Sequence, residues 1–228
     1  MKRNLLFSLS LLACIGISAQ SLQRFYDQGK CGYKNAQGVV VVPAKYFAGS
    51  EFSEGYALVM ESNKRGFINE KGELSIPCEF DDASLFSQGL AKVAKGNLYG
   101  FINTQGKFAI PLQYEFADNF SDGLARIRMS GKYGFINKQG QIVIACTYTD
   151  AGNFSEGFAP VQNANWGYIN VSGVMVISAT YKMAYPFLKG EARVKREQEM
   201  IIIDKKGKML REDPLNEEEK RERGDRKN

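Results

Sequence analysis

Residues 120–140 read Phe-Ser-Asp-Gly-Leu-Ala-Arg-Ile-Arg-Met-Ser-Gly-Lys-Tyr-Gly-Phe-Ile-Asn-Lys-Gln-Gly, and both ends of this stretch recur along the chain. The Phe-Ser-x-Gly start returns at Phe52–Gly55, Phe86–Gly89 and Phe154–Gly157, and in weaker form at Phe187-Leu188-Lys189-Gly190. The Gly-Phe-Ile-Asn part returns at Gly66–Asn69 and Gly100–Asn103, and with Tyr in place of Phe at Gly167–Asn170. Degenerate copies stand at Gly32-Tyr33-Lys34-Asn35 and Ile201-Ile202-Ile203-Asp204, so successive steps are 34, 34, 34, 33 and 34 residues. Two independent markers on one period specify a tandem array, with five clear copies and a worn sixth from Leu22 onward.

Each copy predicts three strands. Leu124 to Met129 alternates in the period of a half-buried strand, Ser130-Gly131-Lys132 is a polar turn, and Tyr133 to Asn137 is the second strand. Asn137-Lys138-Gln139-Gly140, with equivalents at 35–38, 69–72, 103–106, 170–173 and (with Asp204) 204–207, predicts a type I turn closed by a left-handed Gly. The third strand runs from Gln141 to Ala145, with Ile142 and Ile144 expected on one face. The 33-residue step falls in Gln162-Asn163-Ala164-Asn165, the expected tip between first and second strands, where length changes are tolerated. Tyr114-x-x-Ala117-x-x-Phe120 and its copies suggest one tight helical turn that lays aromatics over the sheet. Since most of the 26 Phe and Tyr recur in register, the aromatics read as core rather than as a carbohydrate platform.

These residues (Gly-[Phe/Tyr]-Ile-Asn-x-x-Gly, then apolar-x-Ile-Pro-x-x-[Tyr/Phe], then Phe-Ser-x-Gly-x-Ala) resemble the WG-repeat family of bacterial proteins over about residues 30 to 210. Only Trp166-Gly167 keeps the eponymous pair; Tyr133, Tyr99, Arg65 and Cys31 stand in the Trp place elsewhere. The resemblance implies an all-β repeat array, common in exported or envelope proteins, and carries no family-wide catalytic residues. The expected fold class is therefore all-β, with tandem three-stranded antiparallel meanders stacked as an elongated twisted array. Closure into a propeller-like ring is the alternative.

Residues 1–19 read as a signal peptide: Lys2 and Arg3, an apolar run from Leu5 to Ile17 too short to span a bilayer, and Ile17-Ser18-Ala19 before Gln20. Leu11-Leu12-Ala13-Cys14 offers a rival lipoprotein cleavage box with acylation at Cys14. The array is expected over 20–211 and a charged, disordered tail over 212–228. Three cysteines then remain, Cys31, Cys78 and Cys146; the last two are equivalent and two repeats apart, beyond the ~7 Å that a disulfide bridges. They read as small interior side chains.

The 228 residues contain no His, which excludes Ser-His-Asp, Cys-His and His-zinc chemistry. Glu54, Asp122 and Glu156 share one repeat slot with Gln88 and Lys189, so they read as local turn caps and not as a catalytic pair. No window holds the oxygen ligands of a calcium loop, and the glycines form turns instead of a phosphate cradle. No cofactor and no metal are expected, and the protein is expected not to be an enzyme.

The net charge is +5, about +4 of it on the repeat body. On the first strands Lys92, Arg126, Arg128, Arg193 and Lys195 face away from the Ala/Val/Ile side, so stacking would align them in a basic stripe, diluted by Leu58 and Pro160. This stripe is the candidate ligand-binding site for an anionic partner, the bland alternative being a solvated strand face. The expected function is an exported, non-catalytic interaction module for a protein or glycan at the cell envelope. The alternatives are a passive structural component and, remotely, a hydrolase built on the repeat surface. Nucleic acid is not an expected partner, nor is a transmembrane segment expected.

Overall fold

The computed structural model describes residues 22–213. The signal-peptide reading, the lipid attachment at Cys14 and all but the first two residues of the charged tail lie outside the described residues. Within them the chain is all-β and without helices, arranged as six antiparallel sheets in tandem. The fourth sheet serves as the reference unit. Its strands Leu124–Met129, Lys132–Asn137 and Ile142–Tyr148 form the expected meander. A short strand, Phe116–Ala117, joins it on the outside of the first strand.

That short strand is where the expected helical turn was placed. Its N–H groups do not close a local turn: Glu115 donates to the Arg128 carbonyl and Asp118 to the Arg126 carbonyl. The step of three between Tyr114, Ala117 and Phe120 comes from extended chain turning a corner between sheets. A second correction concerns Ile142 and Ile144, which lie on opposite faces. Ile142 faces Ile136 across the ladder and Ile144 faces Phe135, because a bulge separates the two pairs. The shortened loop sits where expected, since Gln162 faces Trp166 across three residues while Arg128 faces Tyr133 across four.

Phe-Ser-x-Gly forms a two-residue hairpin. Ser121 and Leu124 exchange both backbone bonds, and Asp122 and Gly123 have φ of 51° and 81°, the mirror-image turn that suits strand twist. Gly134, in the second strand, has another role. Tyr133 faces Tyr148 and Phe135 faces Ile144, so residues 145–147 arch over Gly134. A Cβ there would sit 2.5 Å from the Ile144 carbonyl oxygen. Pro77 and Pro111 occupy this arch in their own sheets, where an absent N–H breaks no ladder bond.

Neighbouring sheets interlock through the two markers. Phe86, Phe120 and Phe154 each lie 4.8 Å, centroid to centroid, from Phe67, Phe101 and Phe135 of the preceding sheet, and Phe187 lies 4.9 Å from Tyr168. Tyr33 and Phe52 repeat the pair at 5.6 Å. The hairpins also form a ladder along the stack. Ser53, Ser121 and Ser155 donate from Oγ to the carbonyls of Phe86, Phe154 and Phe187, one repeat on. The Glu54 carboxylate accepts from the N–H groups of Gln88 and Gly89, Asp122 from Gly157, and Glu156 from Gly190. The acids therefore do cap turns, but the next repeat's turns and not their own. Lys205 and the Gly190 N–H hold the Glu156 carboxyl below the ordinary range.

Gln88 is the neutral member of that slot. A carboxylate accepts more strongly from N–H than an amide oxygen does, so Gln88→Glu is expected to complete a rung onto Asp122 and Gly123. The gain should be about 0.5–1 kcal/mol, small because the site is exposed and neighbouring rungs repel weakly across a screened distance. A urea melt of both proteins checks it; an unchanged or lower midpoint would show that the rung contributes nothing.

The array has two distinct ends. In the first sheet Gln23 and Lys34 occupy the places of the buried Ala125 and Ile136. In the sixth, Glu191 occupies the place of Leu124 and pairs with Arg211 at 2.5 Å, while Leu188 and Lys189 end the Ser-acid ladder. Polar outer faces cap a stack. Every substantial contact between sheets joins sequence neighbours, which is the open array and not the closed ring. The last strand continues to Glu212, and Asp213 is buried against Arg193.

Candidate functional site

Arg126 is fastened into the seam between the fourth and fifth sheets. Its Nε and Nη2 donate to Asp118 at 3.0 and 2.6 Å, and Nη1 donates to the Ala151 carbonyl of the next sheet. The guanidinium lies 5.1 and 5.3 Å from the ring centroids of Phe116 and Tyr133. Lys92 stands 3.7 Å from Asp82 and over Tyr99, Arg128 stands 3.7 Å from Glu115, and Arg193 pairs with Asp213. Lys195 is half-buried on the sixth sheet. The structure thus places Arg128, which is exposed, and Lys195 in one column and Lys92, Arg126 and Arg193 in another, partly buried along the seams, and Lys92, Arg126, Arg128 and Arg193 each meet an acid. Alternation away from the Ala/Val/Ile side does not mean water here, because interior sheets are covered on both faces. Arg24 belongs to the column of Arg126, and its Nη1 donates to the Gly49 carbonyl as Arg126 does to Ala151. The worn first repeat hid it.

The surface that the sequence reading missed is the outer rim. Thirteen of the twenty exposed large hydrophobics among the described residues lie between the Asn-x-x-Gly turn and the start of the third strand, so they form a band and are not scattered singly. One rung per sheet makes a column: Val40, Leu74, Phe108, Ile142, Met175 and Met209. Phe108 is 45% and Ile142 52% exposed. These strands are also the unpaired edges of their sheets. The available signal was the apolar residue two places before each buried Ile, which the same-face assumption assigned to the core.

Burial pushes the thiols of Cys31, Cys78 and Cys146 upward, the opposite of an activated nucleophile. Burial likewise raises the hydroxyls of Tyr33 and Tyr168. Among the described residues no three Cys, Asp or Glu side chains are grouped to hold a metal ion, and no helix is long and apolar enough to cross a membrane.

A family described as WG containing repeat matches residues 32–64, 66–99, 99–133, 133–165 and 166–198. No curated protein matches. Among solved structures, Kluyveromyces lactis Hsv2 is 10% identical over 82% of this chain and 71% of that one, with a TM-score of 0.50. A eukaryotic initiation factor is 10% identical over 83% and 62%, with a TM-score of 0.53. A protein of unknown function from Bacteroides caccae is 16% identical over 84% and 92%, with a TM-score of 0.32. Likeness at these identities concerns the fold alone, a succession of small antiparallel sheets.

Proposed function

We propose, from the premise that this chain belongs to the WG containing repeat family, that it is an exported, non-catalytic interaction module whose binding surface is the apolar rim. The observation that carries this reading is the column of one exposed apolar side chain per sheet, spaced by the repeat itself. An aqueous surface gains nothing from such a column, whereas a partner that covers it recovers the burial of six large side chains. An apolar band selects a protein over an anionic glycan, and the acid partners of Lys92, Arg126, Arg128 and Arg193 weaken the attraction for polyanions. With residues 1–19 read as a leader, this proposal sets the encounter outside the cytoplasm, at the envelope.

The double variant Ile142→Lys/Met175→Lys tests the reading, because both side chains are exposed and belong to no core cluster. Crosslinking in the producing cell is expected to trap a partner with the natural chain and at least about tenfold less with the variant, at an unchanged melting temperature. Arg126→Ala is expected to keep the partner while lowering stability. Equal trapping by the rim variant, or none by the natural chain, would overturn the proposal and favour a passive structural component.

A further inference from the structure

The cation column is interrupted at Leu58, and the interruption leaves a hole. Four positions build the Arg126 seat in the fourth sheet, and all four differ together 68 residues earlier. Leu58 stands for Arg126, Ala48 for Phe116, Ser50 for Asp118 and Arg65 for Tyr133. The long guanidinium, both of its flanking rings and its carboxylate are thereby removed from a seam whose backbone geometry repeats. What remains is a cleft of about 290 Å3, lined chiefly by Ala48, Ser50, Leu58, Met60 and the two arginines Arg24 and Arg65.

Its lining has a definite chemistry. Apolar Ala48, Leu58, Val59 and Met60 share the lining with two arginines, and no Asp or Glu is among the lining residues. Arg24 uses Nη1 on the Gly49 carbonyl at 2.7 Å and Nε on Glu51 at 3.3 Å. Arg65 uses Nη1 on the Asp81 carbonyl, and its Nε stands 3.7 Å from the Asp82 carboxylate as an ion pair. These contacts hold both side chains in place, and an arginine has five N–H donors, so each keeps its Nη2 amino group for another acceptor. Oriented guanidinium donors beside an apolar lining match an apolar body that ends in a carboxylate.

The geometry points to a binding site for a small amphipathic carboxylate in this cleft, with its apolar body against Leu58 and Met60 and its carboxylate on Arg24 and Arg65. A free short-chain acid and the C-terminal residue of a peptide present the same chemistry. The site is separate from the rim, so its fate and that of the interaction surface are independent.

Titration of the full array with hexanoate, and separately with a tetrapeptide ending in leucine with a free carboxyl group, tests the assignment by calorimetry. Saturation below about 10 mM by either probe is expected and identifies the source. Hexylammonium and the amidated peptide are expected not to bind. Leu58→Arg refills the hole as Arg126 does in its own sheet, and should weaken the successful probe at least about tenfold while leaving rim-dependent crosslinking unchanged. Arg65→Gln should weaken it comparably without closing the cleft. No saturation by either carboxylate, equal binding of the ammonium, or undiminished binding to Leu58→Arg would each overturn the assignment.

Discussion

Gly134→Ala is expected to destabilise the protein by about 3–5 kcal/mol, far more than a methyl group added at any turn glycine. The added Cβ would lie 2.5 Å from the Ile144 carbonyl oxygen, 2.7 Å from the Cys146 nitrogen and 2.8 Å from the Ala145 carbonyl carbon. All three atoms are backbone, so no rotamer change relieves the contact; the arch over residues 145–147 must lift and give up its packing. In a domain of this size the loss corresponds to a fall in melting temperature of roughly 10 °C. Gly123→Ala supplies the comparison. That glycine has φ of 81° with nothing within 4 Å of its would-be Cβ, so alanine there meets backbone strain alone, about 1 kcal/mol. Paired urea melts decide the matter: equal losses at the two positions would mean that close approach of the third strand is not what the tetrad glycine provides.

The sixth sheet already contains the opposite solution. Ile201 stands in the glycine position, and there Ile201 and Ile202 pair with Glu212 and Arg211 without an intervening bulge. The last strand is also short, Met209–Glu212. The arch is therefore what Gly, and only Gly, permits at this point of the second strand, and the terminal unit discards both together.

The repeat, its strands and its turn chemistry were legible because they rest on local signals: alternation, Asn-x-x-Gly, and a length change confined to a tip. Asn137 performs as its pattern implies, its Oδ1 accepting from the N–H groups of Gln139 and Gln141. What was not legible depends on the neighbouring sheet. Glu54 looks like a cap for its own turn, and only stacking reveals that the turn it caps belongs to Gln88 and Gly89. Arg126 alternates like a solvent-facing residue, yet its alternation points into a seam. Ile142 and Ile144 have the spacing of one face, and a bulge of one residue reverses it. The rim and the Leu58 cleft follow from these two effects, so no single-strand pattern announces them.

Phe154→Ala is expected to cost about 3–5 kcal/mol and to divide the array rather than loosen it evenly. Phe154 is buried, 4.8 Å from Phe135 of the fourth sheet, in a cluster completed by Leu124, Ile144, Ala151, Ala159, Val161 and Ile169. This is the junction between the fourth and fifth sheets. In a stack where each unit touches only its neighbours, stability is a sum of units and junctions, and removing one junction uncouples the units on either side. The four sheets before it keep three intact junctions, whereas the fifth and sixth keep one. Hydrogen exchange is therefore expected to show residues 150–212 losing protection well before residues 23–148, and a two-step melt in place of one. Phe52→Ala, at the first junction, removes a half-buried ring and should release only the terminal sheet at smaller cost. Uniform loss of protection along the whole chain in Phe154→Ala would mean that the six sheets fold as one cooperative body, and the picture of separable junctions would have to be abandoned.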